Sequence, residues 1–387
     1  MGKERAAVVG IGQTKHQATV EDSIAGLVRQ AARRALDDAE LDWGDIDAVV
    51  IGKAPDFFEG VMMPELYLAD ALGCVGKPML RVHTAGSVGG STALVAASLI
   101  EARIHRRVLT VAFEKQSESE AMWALTLPIP FQAPLVAGAG GYFAPHIRAY
   151  MRRANAPDRI GILVALKDRR NGLANPYAHL HEHDISFESV RDSIMLWDPI
   201  RYSETCPSSD GACALVLTDE AGGDAAGHPP AWVLGHAMRS EPTMFAGRDL
   251  VNPRAGRDCA AAVYAQAGVS VPRQQIDVAE IYVPFSWYEP MWLENLGFAE
   301  EGTGWKLVED GVTQMDGDLP VNPSGGVLCT NPIGASGMLR FAEAAMQVRG
   351  QAGEHQIDGA RLAVGHAYGG GSQFFAMWAV GAAKPAS

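Results

Sequence analysis

The chain has 387 residues and carries 32 lysines and arginines against 45 aspartates and glutamates, a formal net charge of −13. That acidic balance excludes recruitment to nucleic acid by charge. Hydrophobic residues at 48% and charged residues at 20% give the mix of a soluble globular protein and exclude disordered and collagen-like classes. No run reaches the roughly 18 consecutive apolar residues of a membrane helix, so no membrane span is expected. Met1, Gly2, Lys3, Glu4 and Arg5 lead straight into a strand-like segment without a signal-peptide core, which predicts a cytoplasmic location. The five cysteines Cys74, Cys206, Cys213, Cys259 and Cys329 are odd in number and form no Cys-x-x-Cys pair, so reduced thiols are expected.

In chain order, short apolar runs rich in β-branched residues predict buried strands at 6–11, 48–52, 108–113, 212–218, 277–282 and 362–366. Alanine-rich stretches with helical spacing lie at 23–39, 92–102 and 339–348. The alternation predicts an α/β architecture with helices on both sheet faces. Asp45-Ile46-Asp47-Ala48-Val49-Val50-Ile51 is echoed by Gln275-Ile276-Asp277-Val278-Ala279-Glu280-Ile281. After each copy come a glycine-rich loop, an alanine-rich helix and a strand, so the chain reads as two similar halves, 1–220 and 231–387, with a seam in the Gly/Asp/Pro-rich 221–230 segment. Between about 115 and 201 the pattern loosens around Pro128, Pro130 and Pro134, which predicts an inserted loop subdomain over the site. Its basic residues Arg148, Arg152, Arg153, Lys167, Arg169 and Arg170 suit either phosphate binding or a solvated helix face.

Gly10-Ile11-Gly12 follows the first strand, but Gln13, Thr14 and Lys15 stand where a dinucleotide fingerprint needs another glycine. His179, His181 and His183 alternate beside Glu182 and Asp184, yet Asn175-Pro176 marks the stretch as a loop, so an exposed polar loop is expected and no metal site. Between His83 and Gly90 a strand enters a glycine-rich turn that opens a helix, a geometry that aims backbone N–H groups at an anion or allows close packing between the halves.

That turn, the segments Asn322-Pro323-Ser324-Gly325-Gly326 and Asn331-Pro332-Ile333-Gly334-Ala335-Ser336-Gly337, the run Asp277 to Phe285, and Gly365-His366-Ala367-Tyr368-Gly369-Gly370-Gly371-Ser372 resemble, in order and spacing, the active-site loops of the thiolase superfamily. The resemblance covers roughly 6–380. It is nearest to the sterol-carrier-protein and archaeal-type thiolases, and within them to lipid-transfer-type homologues of bacterial sterol side-chain degradation. It implies a duplicated thiolase fold of α-β-α-β-α layers. It also implies an acyl-CoA substrate, with CoA present only as part of that substrate and no bound cofactor or metal.

The departures from the pattern carry the functional expectation. Thiolases place a nucleophilic cysteine in the first loop, where this chain has Gly86, and the neighbouring Ser87 is displaced by one residue on a tight turn. Tyr282 stands where the second motif has His or Asn, and Asn331 replaces the histidine of Gly-His-Pro. His366 matches the histidine of the fourth motif, with Ala367 in place of a second cysteine. A site that lacks the nucleophile but keeps its oxyanion loops suits retro-aldol cleavage. The resemblance implies a steroid side-chain β-hydroxyacyl-CoA, C24-branched in the nearest homologues, cleaved to a steroid ketone and a short acyl-CoA such as propionyl-CoA. The residues implied are Tyr282 and His366 as acid–base groups, with His366 titrating near neutrality. Asn331, Gly86, Ser87, Gly369, Gly370 and His83 are implied around the thioester. The alternatives are a thiolase or acyltransferase, and a non-catalytic acyl-CoA or sterol carrier or scaffold subunit. The same resemblance implies a homodimer and a companion OB-fold protein with a zinc ribbon.

Overall fold

The computed structural model describes residues 4–54, 60, 61, 63–118, 138–242 and 247–384; Pro128, Pro130 and Pro134 lie outside them. The strands are β1 (Ala7–Gln13), β2 (Ala48–Gly52), β3 (Met79–Val82), β4 (Arg107–Lys115), the hairpin β5 (Met195–Trp197) and β6 (Ile200–Arg201), β7 (Asp210–Thr218), β8 (Ala231–Ser240), β9 (Val278–Glu280), β10 (Leu362–Gly369) and β11 (Phe374–Gly381). The main helices are α1 (Ile24–Asp38), α2 (Val88–Glu101), α3 (Gly138–Ala154), α4 (Arg159–Gly172), α5 (Arg254–Ala267), α6 (Tyr288–Asn295) and α7 (Ile333–Arg349).

Among the described residues nine strands form one mixed sheet in the order β3-β2-β4-β7-β1-β8-β11-β10-β9. From the central β1–β8 pair outward, β1-β7-β4-β2 and β8-β11-β10-β9 repeat both order and direction, with two antiparallel pairings followed by a parallel one. Helix α1 packs outside β1, β7 and β4, and α5 packs outside β8 and β11, while α2 and α7 touch each other and strands of both halves. The layers therefore run α-β-α-β-α, the expected fold class.

Local chemistry explains the elements. Helix α1 buries Ile24, Leu27, Val28, Ala31, Ala32, Ala35 and Leu36 on one face, and the Ser23 hydroxyl accepts from the Gly26 amide at 3.1 Å as its N-cap. The Gly10-Ile11-Gly12 signal resolves as packing, because a Cβ at Gly10 would lie 2.1 Å from the Ala35 carbonyl oxygen and one at Gly12 the same distance from that of Ala31. Strands β8 and β11 escaped the sequence reading. Their mixtures of Ala, Trp, Met and Gly are largely buried and lack the β-branched runs that mark the other strands.

The middle layer is the tightest. Helix α2 begins at Val88, one turn ahead of the expected start, because Gly89 and Gly90 are helical and lie against α7 and β10. A Cβ at Gly89 would fall 2.5 Å from the Met338 amide nitrogen and 2.9 Å from the Gly334 carbonyl oxygen. Main chain cannot swing aside as a side chain does, so Gly89→Ala should destabilise the fold by about 1–3 kcal/mol. Gly44→Ala, where the added carbon meets nothing within 4 Å, should change stability by less than about 1 kcal/mol. Urea unfolding of the two variants measures the difference.

Candidate active site

The N-terminal ends of the two central helices open on one cavity of about 160 Å³. Ala85 and Gly86 enter it just before α2, Asn331 and Ile333 at the start of α7, and Tyr368 with Gly369, Gly370 and Gly371 from the end of β10. Ala139, Tyr142 and Phe143 of α3, and Pro284 and Phe285 after β9, complete a mainly apolar wall. Cys206, Tyr282 and Asn331 supply polar atoms.

Asn331 is clamped from behind. Its N–H donates to the Ser209 hydroxyl at 3.1 Å, and its carbonyl oxygen accepts from the Ser209 N–H at 3.2 Å and from the Gln116 side-chain amide. The His179 ring is 2.8 Å from that same Ser209 hydroxyl. The side chain is oriented as well: Oδ1 accepts from Ser336 Oγ at 2.8 Å and Tyr282 Oη at 3.4 Å, which leaves Nδ2 directed at Cys206 Sγ, 3.1 Å away on the cavity wall. Tyr282 is 3% exposed, and the Trp292 indole N–H donates to its carbonyl oxygen at 2.9 Å. Burial holds its phenol well above the ordinary tyrosine value, so it is a neutral O–H donor at physiological pH. Burial likewise pushes the Cys206 thiol up to about 12, the opposite of what activates a nucleophilic cysteine.

Gly86 leaves an opening between these groups. A Cβ there would lie 3.2 Å from the Tyr368 carbonyl oxygen, 3.4 Å from Gly369 Cα and 3.9 Å from Tyr282 Oη. A side chain at this position would therefore enter the space between the Tyr368–Gly369 backbone and the Tyr282 phenol. Ala85 holds φ at +49°, an uncommon conformation for a residue with a Cβ. Gly369 admits the loop, since a Cβ on it would lie 2.3 Å from the Gly86 nitrogen.

The other expected residues separate into those at the cavity and those away from it. Gly369 and Gly370 line the cavity. Ser87 is fully buried, and its hydroxyl donates to the Thr84 carbonyl at 2.7 Å, so it closes the turn rather than facing the cavity. His83 is exposed and outside the lining.

The expectation for His366 is corrected. It is fully buried, does not line the cavity, and has no hydrogen-bond partner on either ring nitrogen among the described residues. Trp292 lies 5.8 Å away edge-on and Phe375 6.0 Å away, and desolvation pulls the imidazole down to about 3 rather than leaving it near neutrality. Its place at the cavity is taken by Tyr368, two residues further along the same face of β10. Sequence reasoning passed over Tyr368 for want of a match to a catalytic position.

The histidine run diverges, with His179 on Ser209 and His181 on the Asn175 carbonyl at 3.0 Å. Among the described residues no group of His, Cys, Asp or Glu side chains is arranged to hold a metal. The basic run is largely matched by acids: Arg148 meets Asp198, Arg153 meets Asp249 and Glu301, Lys167 meets Glu289, and Arg169 meets Glu182. No helix among the described residues is long and apolar enough to cross a membrane.

Residues 237–378 match the family model described as thiolase C-terminal domain-like. The acetyl-CoA acetyltransferase of Methanothermobacter thermautotrophicus is 28% identical over 379 residues, covering 94% of this chain and 96% of that protein. Human sterol carrier protein 2 is also 28% identical, over 99% of this chain and 73% of its own length. A solved structure titled "Ltp2-ChsH2(DUF35) aldolase" superposes with a TM-score of 0.85 at 26% identity, covering 99% of both chains. The chain is similar to thiolase-superfamily proteins over nearly its whole length. Its homologues include sterol-carrier-protein-type proteins and enzymes that handle acyl-CoA.

Two outcomes are expected of this thiolase-like site. Gly86→Ala should lower any turnover at least about tenfold while leaving the fold intact, because the added methyl occupies the space before Tyr282; steady-state kinetics with circular dichroism tests this. His366 is neutral in the fold down to about pH 3, while the unfolded chain binds its proton below about 6.5. It therefore takes stability away as pH falls from about 6.5 towards 4, at up to about 1.4 kcal/mol per pH unit. Urea unfolding of His366→Leu between pH 7 and 4.5 should show a shallower loss than wild type.

Proposed function

We propose that this protein catalyses retro-aldol cleavage of a steroid side-chain β-hydroxyacyl-CoA, giving a steroid ketone and a short acyl-CoA such as propionyl-CoA. The observation that carries this reading is the Gly86 opening, where the first thiolase loop presents no nucleophile, a neutral phenol lies 3.9 Å from the place of its Cβ, and an oriented amide lines the same cavity. The similarity to a structure titled as an aldolase supports the same reading. The apolar, aromatic lining supports a ring-bearing acyl group.

The chemistry needs one proton moved from the β-hydroxyl to Cα. A tyrosine that stays neutral does this in relay: the Tyr282 oxygen receives the hydroxyl proton as its own proton passes to Cα. The Cα–Cβ electron pair becomes the thioester enolate, the β-oxygen becomes the ketone, and no proton is gained or lost overall. Asn331 Nδ2, turned to the cavity by Ser336 and Tyr282, donates to the enolate oxygen. The N-termini of α2 and α7 favour the negative charge developing there. His366, buried behind the wall, takes no part. CoA enters and leaves as part of substrate and product, and a homodimer assisted by an OB-fold protein with a zinc ribbon is the proposed assembly.

Acyl transfer is the second reading, favoured by the Cys206 thiol on the cavity wall and by the acetyltransferase relative. One experiment separates the two. The purified protein, alone and with the OB-fold partner, is incubated with a steroid β-hydroxyacyl-CoA, and separately with a β-ketoacyl-CoA plus free CoA, with products followed by mass spectrometry. Ketone and acyl-CoA should form from the hydroxy substrate without added CoA, Tyr282→Phe should lower the rate at least about a hundredfold, and Cys206→Ala should retain it within about threefold. Turnover of the ketoacyl substrate alone, dependent on CoA and lost in Cys206→Ala, would replace the aldolase with a thiolase. Silence in both reactions would leave a carrier.

A further inference from the structure

The histidine run after α4 is not used by the proposed chemistry, yet its first member reaches Asn331 from behind. The His179 N–H donates to Thr330 Oγ1 at 3.1 Å and the Leu180 N–H to the Cys329 carbonyl at 3.1 Å, so this loop is tied to the two residues that precede Asn331. Its ring Nδ1 lies 2.8 Å from Ser209 Oγ, and that oxygen accepts from the Asn331 N–H at 3.1 Å. Ser209 is fully buried, while the His179 ring is half-buried and open to protons from solvent. Hydrogen-bond counting then fixes the direction of each bond. The serine hydroxyl has one proton, and among the described residues its two hydrogen-bond neighbours are the Asn331 N–H and the His179 ring. A peptide N–H only donates, so the serine proton goes to His179 Nδ1, and the ring is neutral with its own hydrogen on Nε2. An imidazolium would donate from Nδ1 instead and leave the serine proton in a buried place with no acceptor, which is costly. The surroundings keep the ring neutral: burial, Arg169 of α4 and Lys15 just after β1 hold it below the ordinary histidine value, against Asp210 of β7. Arg169 is matched by Glu182 at 2.8 Å, and His16, which also faces the ring, is itself kept neutral by burial.

We propose that His179 is a positioning residue for Asn331: by accepting the Ser209 proton, its neutral ring locks the Ser209–Asn331 pair and with it the amide that Asn331 brings to the cavity. The role rests on the retro-aldol reading, in which Asn331 serves the enolate oxygen, and it adds a way for acid to switch the site off. No covalent bond forms or breaks at His179 during turnover. One solvent proton taken up on Nδ1 reverses the hydrogen bond to Ser209 and loosens the clamp. A histidine that only packed in its loop would have no such dependence.

The test compares wild type with His179→Ala and with His179→Asn, whose side-chain oxygen stands where Nδ1 stands but takes up no proton in this range. At about pH 7.5, kcat/KM for the β-hydroxyacyl-CoA should fall about tenfold or more in His179→Ala and stay within about threefold of wild type in His179→Asn. As pH falls from about 6.5 towards 4.5, wild type should lose about tenfold more of its kcat/KM than His179→Asn does, because protonation turns the ring from acceptor to donor. Circular dichroism shows whether each variant stays folded. In an Asn331→Ala background, His179→Ala should cost less than about twofold, since its effect passes through that side chain. Wild-type kcat/KM in His179→Ala, equal acid losses in wild type and His179→Asn, or full additivity with Asn331→Ala overturns the inference. If wild type cleaves no β-hydroxyacyl-CoA, the retro-aldol reading fails on its own, and calorimetry with a β-ketoacyl-CoA decides the positioning role. Losses of affinity in Asn331→Ala and His179→Ala that do not add in the double variant would then uphold it, and any other pattern would end it.

Discussion

The contact between α2 and α7 in the middle layer is the constraint on which the site depends. Gly89 meets the Met338 backbone, and a Cβ on Gly337 would lie 2.8 Å from the Gly90 nitrogen and 2.8 Å from the Ala367 methyl. Two helices fit between the two halves of the sheet only because these positions carry no side chain. Their close approach brings both N-termini to one point, so that Gly86 before one and Asn331 before the other face the same cavity. Glycines that read as an anion-binding turn thus divide their labour, with Gly86 open to the cavity and Gly89 and Gly90 committed to packing.

Buried charge keeps the layers in register around that contact. Glu280, at the end of β9 and two residues before Tyr282, pairs with Arg340 of α7 and accepts from the Ser324 hydroxyl at 2.9 Å. Lys167 of α4 lies 2.7 Å from Glu289 of α6 and 3.1 Å from Asp168, and Lys53 after β2 is 3.4 Å from Glu114 of β4. Such pairs add little net stability, because desolvation offsets their attraction, but removing one partner costs roughly 3–5 kcal/mol. Their contribution here is to fix which residue of α7 and β9 meets which neighbour, and so to hold Tyr282 and Asn331 in register.

Much of this was legible in the chain. The strand at 48–52 and the helix at 23–39 followed from a β-branched apolar run and from alanine-rich helical spacing, and the echo between the two halves anticipated strands that repeat in order and direction. Tyr282, Asn331 and Gly86, named from motif order, meet at one cavity. Ser209, which meets both the N–H and the carbonyl of Asn331, carried no signal because its role depends on a loop 122 residues distant in sequence. His366 shows the limit of motif reading. It shares a face of β10 with Tyr368, but two residues of strand carry it about 6.6 Å further from the cavity, behind Trp292 and Phe375.

By itself the sequence determined the alternation of strands and helices, the duplication, and the absence of a thiol from the first loop, because these depend on local periodicity and residue identity. The tertiary structure alone decided which polar groups reach the cavity and in what state. Burial leaves His366 neutral and inaccessible, keeps the Tyr282 phenol protonated and leaves the Tyr368 hydroxyl without a partner. Depth, dielectric surroundings and hydrogen-bond partners are properties of packed layers, and no spacing along a chain encodes them.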